Sequence, residues 1–283
     1  MVNKIKQSIR NSRLFISFIL SISLFVALPA TALANADSFS FSIVPQQSAS
    51  KMAKLWTPIL NYLSKKSGYQ LRFKTAKNIP TFEQRLSQGE YDFAYMNPYH
   101  YTVYHEHPGY KAIAKAKNKR IRGIIVVRKN SGYNTLQELA GQDLAFPSPA
   151  AFAASILTRS EFKSRDIPIT PKYVSSHDSV YRNVASGRMK AGGGVVRTFK
   201  NVAPEISDQL RILWTTAGYT PHAITVHPRV PEETVDRIKQ AIINMDKDPE
   251  GKALLASIKI KGLESAENTD WDDVRGLGIN LIK

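Results

Sequence analysis

The chain has 283 residues, no cysteine and a formal net charge of +16. The missing cysteines exclude disulfides and thiolate chemistry, so the fold rests on core packing alone. A basic balance points to anionic partners; for a chain with an export signal, a small anion fits better than nucleic acid.

Residues 1–36 read as a secretory signal that is cleaved. Lys4, Lys6, Arg10 and Arg13 form a positive start, Leu14 to Leu28 is almost wholly apolar, and Ala32-Leu33-Ala34 is an A-x-A cleavage site. The apolar stretch is short for a membrane span. Without a cysteine after it, lipid anchoring through that side chain is excluded. The expected product is a soluble, exported protein. The signal carries four of the positive charges and no acid, which leaves +12 of the +16 on the rest.

Phe39 to Val44 alternates apolar and polar and stops at Pro45, as a strand does. Ser48 or Ser50 can cap the helix that follows, whose apolar positions recur from Met52 to Leu63 and end at Gly68. Gln70–Lys74 is a second strand, Thr81–Gln88 a short helix and Tyr91–Tyr95 a third strand. This β-α-β-α-β order predicts a parallel, doubly wound sheet. Ligands of such sheets sit at the carboxyl ends of strands, here Pro45–Ser50 and Met96–Tyr101.

A second α/β unit begins near residue 128. Arg122–Arg128 is an apolar strand, Thr135 with Glu138 a capping box, and Asp143–Phe146 a strand. Ala151–Phe162 is a helix, Lys172–Val174 a strand, and Ser179–Ser186 a helix ending at Gly187. Strands at Arg211–Trp214 and Ala223–Val226 flank a turn, and helices at Pro231–Asp246 and Lys252–Ile258 complete the chain. With no flexible linker between them, the two units read as lobes joined by a hinge: residues 37–126 and 223–283 in one, 127–222 in the other.

Four segments, in order, carry a family resemblance. They are Trp56–Leu63 with Gly68; Gln88–Tyr95 with Asn97, Pro98 and Tyr101; Leu136–Phe146 (LQELAGQDLAF); and Ser176-His177-Asp178 with Val184 and Gly187. Together they resemble the substrate-binding proteins of phosphate, phosphite and phosphonate ABC transporters. The resemblance implies an α/β, type II periplasmic-binding fold of two Rossmann-like lobes joined by two crossing strands. It also implies a periplasmic protein that captures a small oxyanion for a membrane permease and ATPase, with no reaction catalysed and no cofactor. A monomer is expected. Two other readings stay open: a ligand-sensing partner of a membrane receptor, or a binder of a small organic ligand.

By this resemblance Tyr101 and His177 are ligand residues, with Tyr95, Asn97 and Ser48 at the neighbouring strand ends. Where the family has a Ser/Thr-rich loop, this chain has Pro147–Ser155 with Ala151 and Phe152, leaving backbone N–H groups as the donors. Where the family has an acid, it has Lys190, which suits a more fully ionised ligand. Two local readings stay open as well. Gly192-Gly193-Gly194 could form an anion nest or a tight packing turn, and Arg197 could grip an anion or be a surface charge. His177 could equally serve the helix start that Ser176 or Asp178 caps. His100, His105 and His107 with Glu106 do not have spacing that converges on a metal, and no nucleophile elbow, P-loop or dinucleotide fingerprint occurs.

Overall fold

A computed structural model describes residues 37–282. The secretory signal and cleavage site expected at residues 1–36 lie outside the described residues.

Two sheets organise the chain. In the first, β1 (Ser38–Ile43), β2 (Gln70–Lys74) and β3 (Phe93–Met96) run parallel, with β1 between the other two. The helices α1 (Ala49–Ser67) and α2 (Ile79–Ser87) connect them. α1 starts because Ser48 accepts a bond from Lys51 N, and it stops at Gly68, whose φ of 82° only glycine adopts without strain. α3 (Pro98–Glu106) follows β3 and leads to β4 (Lys111–Ala116).

The second sheet holds β5 (Gly123–Arg128), β6 (Asp143–Phe146), β7 (Thr170–Tyr173), β8 (Ala191–Val195) and β9 (Leu210–Thr215), in the order β7-β6-β8-β5-β9. A π-helix (Phe152–Leu157) runs into α4 (Thr158–Ser164) between β6 and β7. α5 (His177–Ala185) lies between β7 and β8, and α6 (Val196–Lys200) and α7 (Pro204–Ser207) between β8 and β9. The chain then returns to the first sheet through β10 (Ala223–Val226), α8 (Glu232–Ile243), α9 (Pro249–Ser257), β11 (Leu263–Ser265) and α10 (Asp272–Arg275). The completed first sheet has the order β11-β4-β10-β3-β1-β2. It is mixed, because β10 is antiparallel to both β3 and β4.

The chain passes between the sheets twice, after β4 and after β9. The two passages bridge each other where Ile121 and Tyr219 exchange N–H···O bonds of 2.7 and 3.0 Å. This is the two-strand hinge the sequence predicted. β5 pairs in the second sheet along its whole length, so the passage lies before Gly123 rather than at residue 126.

The three glycines of 192–194 settle into β8 and bond to β5, so they form no anion nest. Their lack of side chains serves close packing. A Cβ on Gly193 would lie 2.0 Å from Ala154 O, and one on Gly194 2.3 Å from the Tyr181 hydroxyl. Gly123 in the neighbouring strand meets Ala153 O in the same way, at 2.0 Å. The π-helix therefore rests its backbone directly on two glycine strands, which brings its first turn to the hinge.

Candidate functional site: the cleft between the lobes

Five chain segments reach the space between the sheets, each from the carboxyl end of a strand, as expected for an open α/β sheet. From the first lobe come Gln46 after β1 and Asn97 after β3. From the second come the Ala150–Phe152 loop after β6, His177 after β7 and Arg197 after β8. His177 is the first residue of α5, where a backbone N–H has no partner within the helix. It donates across the cleft to Gln46 O at 2.9 Å. Asn97 caps α3 by accepting from His100 N at 2.8 Å, and its Nδ2 donates to Ala150 O of the other lobe at 3.2 Å. Arg197 donates to Gln46 Oε1. At the mouth, Gln47 Nε2 donates to Asp178 Oδ1 at 3.1 Å.

These contacts close the lobes on each other. The space left among Gln46, Asn97, Phe152, His177 and His222 is only about 10 Å³. Phe152 is 1% exposed and meets Tyr219 of the hinge edge-on at 5.8 Å. The loop that is hydroxyl-rich in the family is thus an apolar plug against the hinge. Ser148 and Ser155, its remaining hydroxyls, are buried and line neither this space nor its neighbour.

Arg197 sets the electrostatics. Its guanidinium lies 5.8 Å from the centre of the Tyr95 ring, which stacks on His222 at 4.9 Å. Burial, and then the Arg197 charge, hold the His177 imidazole down to about 3. Burial and Arg197 also push His222 well below the ordinary histidine range. Both rings are neutral at physiological pH and offer one donor and one acceptor each. His177 Nδ1 pairs with Thr198 Oγ1 at 3.1 Å. Among the described residues, no Asp or Glu lines the cleft or the hollow beside it. The arrangement can hold an anion through one guanidinium, neutral imidazoles, an amide and backbone N–H groups. The hydroxyl paired with His177, Thr198 Oγ1, is fully buried and also bonds the Tyr181 hydroxyl and Val195 O.

The structure brings together Tyr95, Asn97, Ala151, Phe152, His177 and Arg197. Three other sequence candidates lie elsewhere. Tyr101 is on the far face of α3, its hydroxyl donating to Asn268 Oδ1 at 3.1 Å and its ring against Trp271 at 4.5 Å. It sits there because Met96–Tyr101 is not an extended loop. The helix starts at Pro98, and residue 101 turns into the first lobe's interior. Lys190 is exposed at the opposite end of β8 from Arg197, roughly 16 Å away at about 3.3 Å per residue, in a hollow with Arg128 and Tyr133. Ser48 is an exposed helix cap; the buried polar residues of its loop are Gln46 and Gln47. Sequence reasoning included Gln46 in the ligand-facing segment Pro45–Ser50 without singling it out, and missed His222. Gln46 carries no motif, and its only signal is its place directly after a strand. His222 shows the same signal in reverse, as a lone polar residue directly before the apolar strand β10.

Comparison with known proteins identifies the fold and the family. Residues 41–271 match the model of a family described as ABC transporter, phosphonate, periplasmic substrate-binding protein. The chain belongs to this family. Its members are binding proteins and not enzymes. A curated relative, the phosphonates-binding periplasmic protein of Escherichia coli K12, is 24% identical over 273 residues, covering 89% of this chain and 79% of that one. A phosphate-import protein of Mycolicibacterium smegmatis is 20% identical over 237 residues, covering 72% and 70%. Among solved structures, the binding protein of a Pseudomonas aeruginosa ABC phosphonate transporter superposes with a TM-score of 0.80 at 14% identity, covering 86% of both chains. A Prochlorococcus marinus protein in complex with methylphosphonate gives 0.78 at 18% identity, covering 86% of this chain and 97% of that one. The type II periplasmic-binding fold is therefore shared. Among the described residues of this family member, no helix is long and apolar enough to cross a membrane, and no group of three or more His, Asp or Glu side chains could hold a metal ion.

Proposed function

We propose that this binding protein works in the periplasm, where it captures a small phosphorus oxyanion between its lobes and delivers it to an ABC permease and its ATPase. The observation that carries this reading is Arg197. It reaches from one lobe to Gln46 and Tyr95 of the other, beside two neutral histidines and with no carboxylate in the lining. A charge-assisted bond there works in a dry crevice, where it is stronger than in water.

The closed space is smaller than any phosphorus oxyanion, so the ligand enters when the lobes part at the hinge. It then replaces the Gln46–Arg197 and His177–Gln46 contacts with its own. Closure follows if the ligand favours the shut state. In this reading the protein acts as a monomer, and nucleic acid has no part.

Isothermal titration of the mature protein against phosphate, phosphite and methylphosphonate, with small organic acids as controls, tests the ligand class. Saturable heat is expected from at least one phosphorus species. Silence from all three at millimolar concentration rejects the class.

A further inference from the structure

On the hinge side of the closed contact lies a larger hollow of about 250 Å³. Ile121, Val195 and His222 line both spaces, so the two share a wall. The volume has room for several water molecules, each occupying about 30 Å³ in the liquid. Its wall is aromatic on one side, where Tyr95 and His222 stack with 14° between their planes. Its edge is cationic, with Lys119, Arg120, Arg122, Arg197 and Lys259, and no acid lines it.

Two of these cations are already engaged. Arg120 pairs with Asp273 at 2.6 Å, and Arg122 Nη1 donates to Thr216 O at 2.9 Å. Lys119, Lys259 and Arg197 have no ion-pair partner among the described residues. Arg197 is half-buried there without a counter-ion, so an anion entering the hollow meets its guanidinium and the two exposed lysines. In the wall shared with the cleft, His222 is 4% exposed and its Nε2 has no hydrogen-bond partner. A buried polar atom without a partner calls for one. A bare oxyanion needs neither this volume nor an aromatic wall. A planar organic body needs both, and a second acidic group on it would meet the two lysines.

We propose that the hinge-side hollow is a second subsite, which takes the planar body and second anionic group of an organic phosphonate whose phosphorus head sits between the lobes. The assignment rests on the cleft being the oxyanion site. The ligand class is then a phosphonate with an acidic, flat substituent, and the stacked Tyr95–His222 pair is the surface that reads the substituent.

The experiment compares methylphosphonate with 4-phosphonobenzoate by isothermal titration, on the native protein and on the double variant Lys119→Gln/Lys259→Gln. The expected result is binding of 4-phosphonobenzoate about tenfold tighter or better, the size of a single well-placed charge-assisted bond. The double variant should lose that gain, change methylphosphonate affinity less than about twofold, and melt without ligand at the native temperature, because both lysines are exposed. Equal affinity for the two probes, or a gain that survives in the variant, overturns the subsite and leaves the oxyanion reading standing. Binding of 4-phosphonobenzoate alone, lost in the variant, supports the subsite and overturns the simple-oxyanion reading. Binding of neither probe overturns both.

Discussion

Arg197 and Tyr101 make a matched pair at the scale of single residues, one facing the cleft and one facing the first lobe's interior. Arg197→Ala removes the guanidinium from the crevice, and the loss of one charge-assisted bond, about 1.5–3 kcal/mol, weakens oxyanion binding by roughly 10- to 150-fold. The melting temperature without ligand should move little, since Arg197 is half-buried and its partner Gln46 keeps other bonds. Tyr101→Phe should do the reverse. It deletes the hydroxyl that bonds Asn268 Oδ1 and accepts from Ala112 N at 3.4 Å, a loss of about 1 kcal/mol of stability, with ligand affinity unchanged. Titration and thermal melting of the two variants side by side check both halves. An affinity loss in Tyr101→Phe as large as in Arg197→Ala would put Tyr101 back in the ligand site.

At the scale of elements, the glycine strand β8 and the π-helix form one unit. Gly193→Ala places a Cβ 2.0 Å from Ala154 O and 2.6 Å from the Phe146 ring. Neither can yield cheaply, because one is backbone and the other is a fully buried ring, so the variant should lose about 1–3 kcal/mol. It should also push the Phe152 loop off the hinge, which would be read as a lower melting temperature together with weaker ligand binding. An unchanged melting temperature would mean that the helix does not rest on this strand. α3 makes a different point about elements. Asn97-Pro98 is a cap followed by a first-turn proline, a helix start readable in the sequence. Read as an extended ligand loop, the segment places Tyr101 in the cleft. Read as a helix start, it leaves Asn97 at the cleft and turns Tyr101 away.

For the whole molecule, two of the buried histidines, His177 and His222, couple stability to pH. His177 titrates near 3 in the folded protein, and His222 is also lowered, against an ordinary 6.5 for the unfolded chain. Below 6.5 the unfolded state therefore binds more protons than the folded one, so stability is complete above 6.5 and falls as the pH drops toward the folded values. Each histidine contributes a slope of up to about 1.4 kcal/mol per pH unit in that window. Denaturant melts between pH 7 and 5 should show the decline before the carboxylates protonate, and His177→Asn should flatten it. A flat profile from 7 to 5 would mean that the two rings are not buried and neutral.

Much of this architecture is legible in the sequence by itself. Alternation located β1 and β2, short apolar runs located β6 and β10, helical spacing located α1 and α8, and four ordered motifs pointed to the family. Each of these signals is local, because a strand or a helix writes its own period into neighbouring residues. The tertiary structure decided what depends on distant segments meeting. It put three glycines into a buried strand because a helix backbone needed the space. It sent Lys190 to the far end of that strand, while Arg197, only seven positions later, reached the cleft. It also brought Gln46, His222 and the two free lysines, which no motif marks, to the hinge. Which side of an element faces a partner more than a hundred residues away is a property of the packed lobes, and no window of sequence contains it.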